Sequence, residues 1–399
     1  MNTSSAPVAS ASRRAPVTAS APTATAPAPL AGMAALCDAL SSTFAERSSV
    51  IRAIARAFLA GEHVFILGEP GTGKSLLIRC FSQALGLSYW ECLMGKFTTP
   101  EQLFGPLSIP GLQADRFTRA WKGYMPAFEV CFLDEVWKSN PGVLNSLLSI
   151  TNERIFHDDG KALPAALKTL VTASNELPEA ESELAALYDR CVVRLETRYI
   201  VDDDAFRTFI ASPTPTVPTV EIDFVAEQAA TRAVTVPDDV FDALVTLSRR
   251  IRDAGLKVSD RKWKQVVGLI KASAHLEGRT VAELDDLECL EDCLWRVPEE
   301  RTTVTRIIQE VANPSGARAV ALLDQAKGLL AGLPVVDDKD PSSKSAFLGK
   351  VASVNGDLKD IAAQLDKLPT SRKVTSARAE VKAIRENTSR QAAKAAGII

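Results

Sequence analysis

A chain of 399 residues with 46% hydrophobic content is long enough for two or three buried cores. A formal net charge of −3 excludes a general electrostatic attraction to nucleic acid. No apolar run reaches transmembrane length, no secretory leader is evident, and the seven scattered cysteines form no C-x-x-C pair, so free thiols in a reducing cytoplasmic setting are expected.

Residues 1–29 are almost wholly Ala, Ser, Thr, Pro and Val, punctuated by Pro7, Pro16, Pro22, Pro27 and Pro29. Such a segment cannot bury enough apolar surface to offset its ordering entropy, and a disordered tail is expected. Leu36, Leu40, Ile51, Ile54 and Phe58 give Leu30 to Ala60 a helical period, with a break near Ser41-Ser42 and a stop at Gly61. His63 to Leu67 reads as a buried strand and Leu76 to Ala84 as a helix. Between them lies Gly68-Glu69-Pro70-Gly71-Thr72-Gly73-Lys74-Ser75, a full G-x-x-x-x-G-K-[ST] in the strand–loop–helix context that gives it meaning. Glycines let the loop wrap phosphates with its own N–H groups, and the helix N-terminus adds partial positive charge. Lys74 can reach the β- and γ-phosphates, Ser75 can ligate Mg²⁺, and Leu76 completes the expected nucleotide-binding set.

Leu87 to Leu93 is a second strand candidate. Thr99-Pro100-Glu101 looks like a helix start, and Gly105 to Gly123 is a turn-rich excursion. Phe128 to Asp134 is a buried strand ending in Asp134-Glu135, where an α/β ATPase holds Mg²⁺ through the aspartate and polarises water through the next acid. Asn140-Pro141-Gly142 opens a helix over Val143 to Thr151. Ile155 to Lys161 has a hairpin signature with Asp159-Gly160 at its tip. Leu167 to Asn175 is a further strand. A short helix, Glu183 to Tyr188, delivers Asp189-Arg190 before a last strand, Cys191 to Leu195. This alternation predicts an α/β fold with a parallel sheet over 30–210.

A proline-rich linker follows at 211–219. Helical periods over Asp238–Ala254, a helix capped by Ser259 or Asp260, and helices at Leu284–Trp295 and Thr303–Val311 predict an all-α domain at 220–312. Residues 313–399 carry a helix at Gly316–Leu330. Next, Leu348, Val351, Leu358, Ile361, Leu365 and Leu368 recur at 3–4 spacing before Pro369, and Val374, Ala377, Val381 and Ile384 after it. These predict an αα-hairpin or short coiled coil, either a packing appendage or a partner-docking element.

Several motifs together resemble the MoxR family of AAA+ ATPases, the RavA branch most nearly: Phe97 to Ser108, Phe132 to Lys138, Asn152-Glu153-Arg154, Ala173 to Pro178, Leu187 to Arg190 and, further on, Val258 to Trp263. The resemblance runs from about Leu36 to Trp295. It implies an AAA+ P-loop core with an α-helical lid, use of ATP and Mg²⁺, and a homo-hexamer. It also implies a motor that remodels or activates a protein client with a von Willebrand factor A (VWA) partner. By the same resemblance Asn175 matches sensor 1, Arg190 the arginine finger with Arg194 as the alternative, and Arg261 sensor 2, placed in its own subunit or across the lid. Thr98 to Gly123 falls where this clade inserts a loop in helix 2, and Ile155 to Leu167 where it has a hairpin. RavA-like proteins carry a β-rich insert after the lid. Only helices are expected here after residue 300, so that insert's partner is not carried over.

The competing reading is a nucleic-acid motor, which wants basic loops. The hairpin sets Asp158 and Asp159 against Lys161. The insert carries Lys96, Arg116, Arg119 and Lys122 against Glu101 and Asp115. The balance favours a protein client.

Overall fold

The computed structural model describes residues 30–178, 184–212, 217, 218, 220–333, 341–368 and 372–395. The tail expected over 1–29 lies outside them, as do the middle of the 211–219 linker and the break at Pro369. Helix α1 (Gly32–Thr43) buries Met33, Leu36, Cys37 and Leu40, one face at i, i+3, i+4 spacing. It runs past Ser41-Ser42 because Ser42 and Thr43 hydroxyls turn back to the Ala39 carbonyl at 2.7 and 3.0 Å rather than unravelling the turn. Helix α2 (Ser48–Ala60) ends at Gly61, whose φ of 73° only glycine adopts at little cost.

The central sheet has five parallel strands: β1 (His63–Gly68), β2 (Tyr89–Leu93), β3 (Val130–Asp134), β4 (Thr169–Ser174) and β5 (Cys191–Thr197), in spatial order β2-β3-β4-β1-β5. Helices cover both faces, so the middle strands are continuous apolar runs rather than alternating ones. Between the strands lie α3 (Lys74–Ala84), α4 (Pro141–Glu153) and α5 (Ala185–Arg190). One core joins α1, α2, α3, one face of the sheet and the helices of residues 224–312. The second core covers the other face with Leu144, Leu147 and Ile150 of α4. There Phe65, Trp137 and Tyr188 pack edge-on or tilted, with centroids 5.3 to 5.9 Å apart.

The insert is not featureless. Thr99 and Gln102 form a capping box on Pro100–Phe104, and a second short helix, Ile109–Gln113, follows. The hairpin pairs Ile155–Asp158 with Lys161–Pro164 around Asp159-Gly160.

Two helices went unread in the sequence: α6 (Asp203–Ala211), capped by Asp202, and α7 (Phe224–Ala233), capped by Asp223. Helices α8 (Asp238–Asp253), α9 (Asp260–Leu276) and α10 (Pro298–Ala312) complete the lid. Ser259 is the cap of α9, accepting from Lys262 N at 3.3 Å. The stretch expected as a helix over Leu284–Trp295 is instead a 3-10 helix ending at Asp292. Its first turn is drawn tight because Asp286 takes both Nη groups of Arg279 at 2.7 Å and the Glu283 N–H at 2.8 Å.

The C-terminal hairpin of α12 (Pro341–Asp366) and α13 (Arg372–Ala395) packs against α11 (Pro314–Ala331). Ala319, Leu322 and Ala326 meet Val354, Leu358, Ile361 and Leu365 of α12 and Val374, Ala377 and Val381 of α13. Among the described residues no helix is long and apolar enough to cross a membrane.

Candidate nucleotide site

The loop after β1 is shaped by three glycines. Gly71 and Gly73 take φ of 79° and 78°, which turns successive N–H groups inward. Gly68 is needed for a different reason: a Cβ there would sit 2.1 Å from Thr197 Oγ1 and 2.5 Å from its carbonyl on β5. Thr72 Oγ1 lies 3.2 Å from Thr197 Oγ1 and donates to Glu69 O at 2.9 Å, so the end of β5 braces the loop. Lys74 opens α3, and its Nζ donates to the Gly68 and Glu69 carbonyls at 2.8 and 2.9 Å. Burial pushes its ammonium below the usual lysine range, while Asp134, Glu135 and Glu69 act in the opposite direction.

The register brings the acids to the same edge. Leu67 pairs with Ser174 and Leu133 with Thr172, so Gly68, Asp134, Glu135 and Asn175 all leave the sheet at its C-terminal ends. Burial raises the Asp134 carboxyl above its ordinary value, partly opposed by the Glu135 N–H, which donates to its Oδ1 at 3.0 Å, and by Lys74. Glu135 stands in the left-handed region at φ 52°, a conformation that costs a non-glycine residue about 1–3 kcal/mol. Lys138 holds it there: its Nζ lies 3.1 Å from Glu135 Oε2 and its N–H donates to Glu135 O at 3.0 Å. Asn175 is exposed immediately after β4.

The donor set suits a nucleotide's phosphates with a hard cation. Backbone N–H groups and Lys74 would meet the anion, and the Ser75 hydroxyl and Asp134 carboxylate would supply oxygen donors to the cation. Among the described residues no cluster of three or more His, Cys, Asp or Glu could hold a metal by itself, so a cation here would need phosphate oxygens as well.

Arg190 and Arg261 lie elsewhere. β1 and β5 run in register from His63–Cys191 to Gly68–Thr197, and Arg190 directly precedes Cys191. The strand length puts roughly 20 Å between Arg190 and the loop of the same chain. Arg261, exposed at the start of α9, is close enough to Arg190 for the two charges to disfavour one another; burial, the larger cause, also lowers the Arg190 pKa. Ser259 Oγ donates to the Asp189 carboxylate at 3.1 and 3.3 Å, tying this end of the lid to the helix that carries Arg190. Neighbouring Arg154, of the Asn-Glu-Arg motif, donates to Gly61 O at 2.9 Å and lies 2.6 Å from His63 Nε2.

Arg194, the alternative to Arg190, is 2% exposed. Its guanidinium lies 3.9 Å from the Tyr188 ring centroid and donates to the Tyr188 and Trp295 carbonyls. It is an internal tie between β5 and the lid, beyond the reach of a second chain.

Comparison with known proteins bears on the family and the fold. Residues 32–213 match the family model of the MoxR domain in MoxR-vWA-beta-propeller ternary systems, and residues 239–308 match an AAA lid domain. Two uncharacterized proteins of Methanocaldococcus jannaschii are 36% and 38% identical, over 81% and 69% of this chain and 87% and 74% of their own. The chain belongs to the MoxR family of AAA+ ATPases. A structural protein of the Acidianus two-tailed virus is 23% identical over 71% of this chain and 46% of its own. A crystal structure from Cytophaga hutchinsonii, of a protein assigned as an ATPase, aligns at TM-score 0.56 with 16% identity, covering 69% of this chain and 93% of that one. That likeness concerns the fold. The strand order and the helical lid of this MoxR-family chain are those of an AAA+ core.

Sequence reasoning missed three contributors in this MoxR-family site: Thr197, Lys138 and Tyr199, whose hydroxyl donates to Pro70 O at 3.2 Å. Lys138 carried a local signal, three residues after Glu135 in Glu-Val-Trp-Lys. Thr197 and Tyr199 are brought to the loop only by strand register.

Proposed function

We propose that this protein is a Mg²⁺-dependent ATPase that works as a head-to-tail ring, in which each site is completed by the next subunit. The carrying observation is the separation of Arg190 and Arg261 from their own phosphate loop by the length of the sheet. On this reading Gly68 to Leu76 bind nucleotide, and Ser75 and Asp134 hold the cation. Glu135 takes a proton from the attacking water, which Asn175 orients. Arg190 and Arg261 reach the γ-phosphate of the neighbour. Bound Mg²⁺ would neutralise charge on the phosphates. Arg261 acts across the interface rather than in its own subunit, because it stands beside Arg190.

The loop edge also carries an apolar patch suited to a second copy. Tyr199, Val201, Phe206, Phe209 and Ile210 are 49 to 82% exposed, next to Pro70 through the Tyr199 hydrogen bond. Six subunits are the expected closure. The family description of a MoxR-vWA-beta-propeller system supports a VWA-domain partner. Phe97, Ile109 and Phe117, 92, 70 and 64% exposed on the insert, suit contact with a protein client.

The nucleic-acid reading loses its basis in the same insert. Arg116 pairs with Asp159 at 3.1 Å and Arg119 with Glu101 at 3.4 Å, so two of its four cations are neutralised. The test is native mass spectrometry of Glu135→Gln with Mg-ATP, together with ATPase assays with and without DNA. Closed rings without DNA stimulation are expected. A monomer at every nucleotide state would overturn the proposal.

A further inference from the structure

Between α5, β5 and the start of α9 lies a cavity of about 310 Å³ that none of the phosphate-loop residues lines. Four cations line it, Arg194, Lys257, Lys262 and Arg296, against one carboxylate, Asp189. Two of the four are fully inside the protein: Arg194 and Lys262 are each 2% exposed. Buried charges are ordinarily paired, because desolvation costs several kcal/mol per ion. These two have no ion pair with a carboxylate among the described residues. Lys262 Nζ donates to the Cys293 carbonyl at a long 3.3 Å, and Arg194 Nε, itself buried, has no hydrogen-bond partner. Asp189 is already engaged with Ser259. The N-terminus of the seventeen-residue helix α9 opens at the same place, with Ser259 and Lys262 both in the wall, and adds its partial positive charge.

We infer that this cavity binds a phosphate-class oxyanion between Arg194 and Lys262, at the junction of core and lid. The anion would supply the missing countercharge and an acceptor for Arg194 Nε. Lys257 and Arg296, at the wall, would complete recognition of a second charged oxygen. Burial first and Arg194 second hold the Lys262 pKa below the usual lysine range, with Asp189 acting in the opposite direction. The site is independent of the catalytic reading, since it shares none of the residues proposed to bind or hydrolyse nucleotide.

The experiment uses the full chain carrying Lys74→Ala, so that the phosphate loop's own anion affinity is weakened, and the added variants separate the two sites. Thermal unfolding is followed against inorganic phosphate, and separately against diphosphate, with chloride at matched ionic strength as control. A saturable rise in Tm of about 2–4 °C is expected for the phosphate-class ions alone. Adding Lys262→Met, which replaces a buried cation by an apolar chain of similar length, should abolish the rise. Arg296→Gln, a change outside the buried core, should weaken apparent affinity several-fold with folding intact. A larger response to diphosphate than to phosphate would identify a phosphoryl compound as the natural occupant, and equal responses the free ion. No saturable response in the Lys74→Ala chain would overturn the inference. So would an undiminished response in both added variants.

Discussion

Arg190→Ala offers the sharpest test of how the site is completed. The side chain stands at the N-terminal end of β5, whereas the phosphate loop leaves β1 beside the C-terminal end of that strand. The strand spans roughly 20 Å, far beyond the reach of an arginine, so nucleotide affinity of a lone subunit should not change. Turnover in the assembled protein should fall by about 10³-fold or more, the scale on which an arginine finger acts in phosphoryl transfer. Lys74→Ala should be inactive for a different reason, the loss of the group proposed to meet the phosphates. When equal amounts of the two variants assemble at random, an interface works only if one subunit keeps Lys74 and its neighbour keeps Arg190, about one interface in four. A coupled ATPase assay on mixed rings, with mixing verified by native mass spectrometry, should therefore recover up to about a quarter of the wild-type rate. Mixed rings that form and stay inactive would refute the assignment of Arg190 in trans.

Glu135→Gln should retain ATP binding and slow turnover about 10²-fold or more, measured by equilibrium binding alongside phosphate release; near-normal turnover would remove Glu135 from the role of base. Glu62, just before β1, has its carboxyl raised to about 7 by burial, against Arg154 and the Gln265 hydrogen bond, which lower it. Its protonated form is favoured in the fold, so the stability it contributes is complete below its unfolded value near 4.5 and is lost as pH rises through about 7. Glu62→Gln should therefore flatten this loss, with denaturation midpoints at pH 5 and pH 8 closer together than in the wild type; an unchanged difference would show that Glu62 is not the titrating group. Leu358, fully buried in the C-terminal bundle, should cost about 2–5 kcal/mol as Leu358→Ala in unfolding of that region. Basal ATPase should persist in that variant, and a parallel loss of ATPase would show that the bundle supports the core.

Chemistry confined to a short stretch was legible in the sequence. The phosphate loop and the Asp134-Glu135 pair depend on neighbours along the chain, so spacing alone locates them. The hairpin tip Asp159-Gly160 is likewise a local turn preference. What escaped depends on partners supplied from a distance. Thr197 acts on the loop only because Gly68 pairs with it, across more than a hundred residues of chain. Helix α6 carries Phe206, Phe209 and Ile210 at helical spacing, but it is only nine residues long and runs into the proline-rich 211–219 stretch, so its period is short. Helix α11 showed a helical period but not its packing, since nothing in its own residues names α12 and α13 as its neighbours.

The choice between Arg190 and Arg194 lies between these two cases, and it turns on where the helix stops. Arg190 is the last residue of α5, and its Nη1 reaches back only to Ala186 O at 2.7 Å. Arg194 is four residues on, and in a continued helix it would have shared a face with Arg190. The backbone instead switches to strand at Cys191, and Arg194 pairs with Phe65 inside a parallel sheet covered on both faces. Its guanidinium is 2% exposed, stacked on Tyr188 and donating to the Tyr188 and Trp295 carbonyls, so it is not placed to reach another subunit. The run Cys191-Val-Val-Arg-Leu195 reads in the sequence as a strand, with Arg194 still open as the alternative to Arg190. Burial in the folded core, which the strand reading alone does not give, confines Arg194 to the interior. Arg190, at the boundary, is left as the one of the two that a second chain can meet.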